Sequence, residues 1–193
     1  MTLFLDALLL GCAAGLVAGG SIRRIGSTRL RFESLLLVLF ILQLALPRIA
    51  TMVGMSKELA VYSWLLVMLA LVVIALLNHP QAGLLLVSLG IGLNALVIAL
   101  NGAMPVSERA VSVIVGHEYV MNSEDTDVLH EPIRPSTVAA PLSDVIPLPG
   151  PTWHRGIISV GDVLLCGGVA WFICDAMVCS ERRSSSDHMQ ENG

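Results

Sequence analysis

Apolar and polar positions alternate in this chain on the scale of twenty residues, not of two or four. Runs rich in Leu, Ala and Val cover about residues 3–19, 34–53, 59–77, 82–100 and 159–179. Short polar stretches separate the first four, and a long polar segment, 101–158, precedes the fifth. A helix rises 1.5 Å per residue, so a hydrocarbon layer about 30 Å thick takes roughly 20 residues. The runs are apolar on every face, which suits lipid or a bundle interior better than water. Backbone groups in hydrocarbon must satisfy one another, so such runs are predicted as helices. The pattern predicts an all-α integral membrane bundle of about five helices in a single domain, residues 1–179. A disordered cytoplasmic tail, 180–193, is expected to follow.

The polar stretches set an orientation. The segment SIRRIGSTRLRFE carries Arg23, Arg24, Arg29 and Arg31, and the tail opens with Glu181-Arg182-Arg183. With five spans both lie on one side, and basic residues favour the cytoplasm. The N-terminus is then outside and the C-terminus inside. The four arginines also suit anionic lipid headgroups. On the opposite side, the segment between spans four and five holds three arginines against seven carboxylates, a net charge of −4. Within it, Val106–Gly116 predicts one short amphipathic helix. From about Met121 to Pro151 the acidic and then proline-rich chain predicts loop with little strand or helix. Asn78-His79-Pro80-Gln81 predicts a tight inner turn that ends the third span.

Composition agrees with this picture. The hydrophobic share is 55%, the charged share 13% and the mean hydropathy +0.79, whereas a soluble domain is about one quarter charged. A net charge of −4 and a pI of 5.7 argue against nucleic acid as a partner. Cys12, Cys166, Cys174 and Cys179 all fall in apolar runs and are expected as buried thiols. The first run has no basic residues before it, so neither a signal peptide nor lipidation at Leu9-Leu10-Gly11-Cys12 is expected.

Polar and small residues inside the spans mark where helices meet. Gly11, Gly15 and Gly19 repeat every fourth residue and predict a close-packing face, for this bundle or for a second copy. Gly83, Gly90, Asn94 and Asn101 lie on one stripe of the fourth span, expected to face protein or water. Ser159 and Asp162, three residues apart at the start of the fifth span, have the spacing of a capping box. The rival is that Asp162 is a functional carboxylate. Asp6, Arg48, Asn94, Asn101 and Asp162 are expected at similar depth near the outer face, with Gln43 deeper and ready for an interhelical bond. His117-Glu118, His130-Glu131 and His154 match no metal-ligand spacing, and no metal or other cofactor is expected.

Taken with GLVAGGSIRRI, LRFESLLLVLFILQ, GLNALVIALNGAMPVS, LSDVIPLPGP and ISVGDVLLCGG, the chain is similar to an uncharacterised bacterial multi-pass membrane family, domain of unknown function 5317. The likeness spans about Gly15 to Gly168. Its specific parts carry over to Asn101, Gly102, Met104, Pro105 and Val106, and to Ser159, Gly161 and Asp162. Family members more usually have glycine where Ala103 stands, and phenylalanine and isoleucine where Ile158 and Val160 stand. The resemblance implies a location in the bacterial cytoplasmic membrane and a shared fold, and it brings no activity. It also implies that the outer ends of spans four and five form a unit, with Asn101 near Asp162 and Met104-Pro105-Val106 turning the chain into the loop.

Three functions are compatible with these residues. One is a non-enzymatic packing or interaction module whose acidic loop meets a membrane partner or a second copy. Another is a small-solute or ion transporter using Asn94, Asn101 and Asp162. The third is an enzyme built on Asp6 and Asp162, which lacks any nucleophile or metal signature.

Overall fold

The computed structural model describes residues 2–120 and 129–178. The expected disordered tail, Cys179 and the middle of the acidic loop lie outside the described residues. Helix α1 spans Thr2–Val17, α2 Glu33–Met52, α3 Lys57–Leu77, α4 Leu84–Asn101 and α6 Val160–Val178. The last four are long and apolar enough to cross a membrane, and α1 is a shorter apolar helix. The chain is thus a helical bundle of the membrane type, with four such helices among the described residues where hydropathy predicted about five.

Local chemistry sets the helix ends. Ser56 caps α3 by accepting from the Leu59 N–H. Gly102 ends α4 at φ +76°, with its N–H on the Ile98 carbonyl. That left-handed conformation suits glycine, which has no Cβ to clash. Pro47 lies inside α2, and the Thr51 hydroxyl bonds its carbonyl.

Helix α6 is the hub. Cys166 reaches the Leu3 carbonyl, while ideal Cβ atoms at Gly11 and Gly15 would meet Ala170 and Met177, so α1 and α6 run parallel. Gly83 faces Gly168 and Gly90 faces Gly161, so α4 and α6 run antiparallel. Helix α3 packs on the other flank of α4, and α2 on α3. The main apolar core lies among α2, α3 and α4, with Ala50, Ala60, Val97 and Ile98 almost fully enclosed.

One end of the bundle gathers the arginine-rich segment. The Asn78 side chain accepts from the Arg31 N–H at 2.7 Å and donates to the Arg31 carbonyl at 3.1 Å. Ser21 N–H and the Arg24 guanidinium both bond the Met177 carbonyl. The arginine segment, the Asn78 turn and the end of α6 therefore share one end.

The other end carries a small cap. Strand β1 (Met104–Val106) pairs in parallel with β2 (His130–Pro132), Met104 opposite His130. Val106 also bridges to Asp144. Strands β3 (Ile146–Leu148) and β4 (Gly156–Ile158) pair antiparallel, and α5 (Glu108–Val115) covers them. The stretch 121–151, expected as loop with little strand or helix, carries three short elements among its described residues: β2, a 3₁₀ turn at Ala140–Leu142 and β3. Proline is compatible with these strands because Pro132 and Pro147 sit in two-stranded pairs. There a missing N–H leaves few ladder bonds unmade.

Candidate functional site

The site is built where the N-terminus of α6 meets α4. The Ser159 N–H donates to Asp162 Oδ2 at 2.9 Å, and the Asp162 N–H donates to Ser159 Oγ at 3.0 Å. Two otherwise orphaned donors of the helix start are satisfied reciprocally. Asn94 of α4 joins this pair. Its Nδ2 donates to Asp162 Oδ1 at 2.8 Å, and its Oδ1 accepts from Ser159 Oγ at 2.8 Å. Asn94 and Ser159 are buried. Both carboxylate oxygens of Asp162 are thus engaged by donors fixed on two helices.

This closure depends on Gly161 and Gly90. A Cβ at Gly161 would run into the Asn94 side-chain oxygen and lie 2.7 Å from the Gly90 carbonyl. A Cβ at Gly90 would lie 2.6 Å from the Leu165 nitrogen. The backbones approach so closely that only hydrogen fits, and that approach brings Asn94 within reach of Asp162.

Asp144 approaches the same carboxylate from the cap. Its N–H donates to the Pro105 carbonyl at 3.0 Å, and its own carbonyl accepts from the Ser107 N–H at 2.9 Å. The side chain is only 9% exposed. Burial, and then the negative charge of Asp162, push its pKa from 3.8 up to about 7, against an opposing pull from His130. The neighbouring Ser143 hydroxyl is fully enclosed and has no hydrogen-bond partner among the described residues.

The remaining predicted residues go elsewhere. Asn101 donates to the Val97 and Val138 carbonyls and accepts from the Val138 N–H at 2.8 Å, so it clasps the loop. The adjacent Ala139 sits at φ +56°, a strained angle for a residue with a Cβ. Asp6 pairs with His154 at 2.7 Å. Arg48 is exposed on α2. Met104, Pro105 and Val106 are buried as β1, and Gly102 is the turn before them. The described residues therefore place Asn94, Ser159, Gly161 and Asp162 together, while Asp6 and Asn101 bond other partners and Arg48 is exposed on α2. Asp162 meets Asn94, two turns along α4 from Asn101.

Gly11 and Gly15 pack on α6, whereas Gly19 lies past the end of α1 with nothing near it. The Gln43 main-chain carbonyl accepts from Trp64 Nε1, and its side-chain oxygen is buried without a partner among the described residues. Cys12, Cys166 and Cys174 are free thiols. Among the described residues no group of three or more His, Cys, Asp or Glu side chains is placed to hold a metal ion.

Sequence reasoning missed Asp144 and Asn78. A single acid inside the apolar stretch LSDVIPL was the available signal for Asp144. Asn78 was read only as part of a turn, though a helix-ending asparagine next to a proline turn is a common backbone clasp.

The model of a family of unknown function, DUF5317, matches residues 27–174. The chain belongs to that family. The match starts in the arginine segment and ends within α6, so it takes in the Asn94–Asp162 contact and the whole cap. No curated protein matches the chain, and no solved structure does.

Proposed function

We propose that this DUF5317 member is a non-enzymatic multi-pass protein of the cell membrane that holds an acidic cap outside the bilayer as an interaction surface. The hydrogen bonding of Asp162 within the protein carries this reading. Each oxygen of Asp162 accepts a bond from a fixed donor, Asn94 Nδ2 or the Ser159 N–H, so the carboxylate serves as a structural link between α4 and the start of α6. Within this reading α1 is the first of five spans, the arginine end lies in the cytoplasm against anionic headgroups, and the cap with its net charge of −4 faces outward. Partners of such a surface are a second copy or another membrane protein.

One observation favours the alternative of an ion or small-solute transporter. Asp144 places a second, readily protonated carboxyl close to Asp162. Asp162→Asn separates the two. The interaction reading expects a lower melting midpoint in detergent and unchanged ion flux in proteoliposomes. A folded variant that has lost a flux shown by the native protein would overturn it. Cysteine labelling of positions 23–31 and 108–118 in intact cells tests the orientation, and label at 23–31 from outside would reverse it.

A further inference from the structure

A cleft of about 320 Å³ lies between the start of α3 and the end of α4, on the capped side of the bundle. Its rim carries Lys57, Glu58 and Tyr62, and its floor carries Val61, Leu65 and Ile98. Polar groups thus sit at the level where helices meet the cap, and apolar ones begin a turn deeper. Tyr62 is 69% exposed at the edge, as aromatic side chains are at a membrane interface. The cleft has the size of a small-ligand site and the polarity gradient of one lipid leaflet.

The charges at the rim select the headgroup. The Lys57 ammonium pairs with Glu131 at 3.2 Å and stays half-exposed. Glu58, in the first turn of α3, has no ion-pair partner among the described residues. Two carboxylates against one ammonium disfavour an anionic lipid. A zwitterionic headgroup fits better: its phosphate meets Lys57 at the positive end of the α3 dipole, and its cation meets Glu58. A primary ammonium donates hydrogen bonds to that carboxylate, which a quaternary ammonium cannot.

We propose that this cleft binds one aminophospholipid of the phosphatidylethanolamine class, its ammonium on Glu58, its phosphate by Lys57 and its acyl chain against Val61, Leu65 and Ile98. This site shares no side chain with the Asn94–Asp162 contact, and its fate is separate from the function proposed above.

Native mass spectrometry of the delipidated full-length protein, titrated with phosphatidylethanolamine, phosphatidylcholine or phosphatidylglycerol in detergent, tests it. One phosphatidylethanolamine is expected to be retained with roughly tenfold preference over the other two, the effect of one charge-assisted hydrogen bond. Glu58→Gln should reduce that retention by about the same factor. Ala99→Phe, from an exposed position lining the cleft, should abolish retention of all three and stands as a second test if the first variant does not fold. Preference for phosphatidylglycerol, or unchanged binding in either folded variant, overturns the proposal. So does equal affinity for free phosphoethanolamine, which would mark a site for the soluble headgroup alone.

Discussion

Helices α2 and α4 are both apolar and near twenty residues long, yet they are held in the bundle by different means. In α4, 39% of the apolar window is buried within the chain, and in α2 only 11%. Helix α4 meets α6 along Gly83, Gly90 and Asn94, with backbone against backbone and a side-chain hydrogen bond between the helices. Helix α2 lies against α3 by side-chain packing and one long hydrogen bond, Trp64 Nε1 to the Gln43 carbonyl at 3.4 Å. There is no close backbone approach of the Gly90–Gly161 kind between them, and Leu37, Val38 and Ile41 point away from the protein. In lipid, apolar surface alone gives little association, because acyl chains are as apolar as leucine. Hydropathy therefore brings a helix into the bilayer. Close approach and polar bonds decide which helix it stays beside.

The strongest test of this contrast is Gly161→Val. The new side chain would collide with Asn94 and the Gly90 backbone, and we expect a loss of about 3 kcal/mol or more in unfolding free energy, read by steric trapping or a detergent melt. A comparably small change on α2 should leave the melt almost unmoved.

The cap adds a pH dependence to the α4–α6 side. A carboxyl whose folded pKa is raised holds its proton more tightly in the folded chain than in the unfolded one. The cap is then most stable at low pH and loses stability as pH climbs from the unfolded value of 3.8 through about 7. For Asp144, with Asp162 and His130 as its charged neighbours, the loss between pH 5 and pH 8 should be about 2–3 kcal/mol. Asp144→Asn should flatten the profile and be the more stable chain at pH 8. A wild-type profile that is flat, or that rises with pH over this range, would show the carboxyl is not held in this way.

Asn94→Ala comes next. It strands Ser159 Oγ and one oxygen of Asp162, and the expected cost is about 1–2 kcal/mol with the capping box intact. Combining it with Asp162→Ala should cost less than the two single changes together, because the partners lose each other only once. Ile41→Ala on α2 should change stability by less than about 0.5 kcal/mol, since lipid fills the space. A loss above 2 kcal/mol there would mean that α2 is covered by another helix.

Much of the fold was legible beforehand for a simple reason. Twenty-residue apolar runs leave the backbone no alternative to helix in hydrocarbon, and Pro80 and Gly102 punctuate them at their ends. The spacing of Ser159 and Asp162 was equally readable, because both partners of a capping box lie within one turn. The cap was not. Its pairs join residues far apart, Met104 with His130 and Val106 with Asp144, through three-residue strands too short to leave a period. The resemblance suggested Asn101 as the neighbour of Asp162, and the partner is Asn94. Both asparagines lie on one stripe, and only the crossing of α4 on α6 distinguishes them.

By itself, then, the order of residues determined the membrane-type helices, their approximate ends, the arginine-rich and acidic polar segments, and the local cap at Ser159. These follow from transfer free energies and from bonds that close within one turn. Tertiary structure alone decided that α6 is the hub, that Gly83 and Gly90 meet Gly168 and Gly161, that Asn101 and Asn78 clasp loops, and that Asp144 is buried within electrostatic reach of Asp162. Each of those depends on two segments reaching the same place, and no local property of either segment records where the other will be.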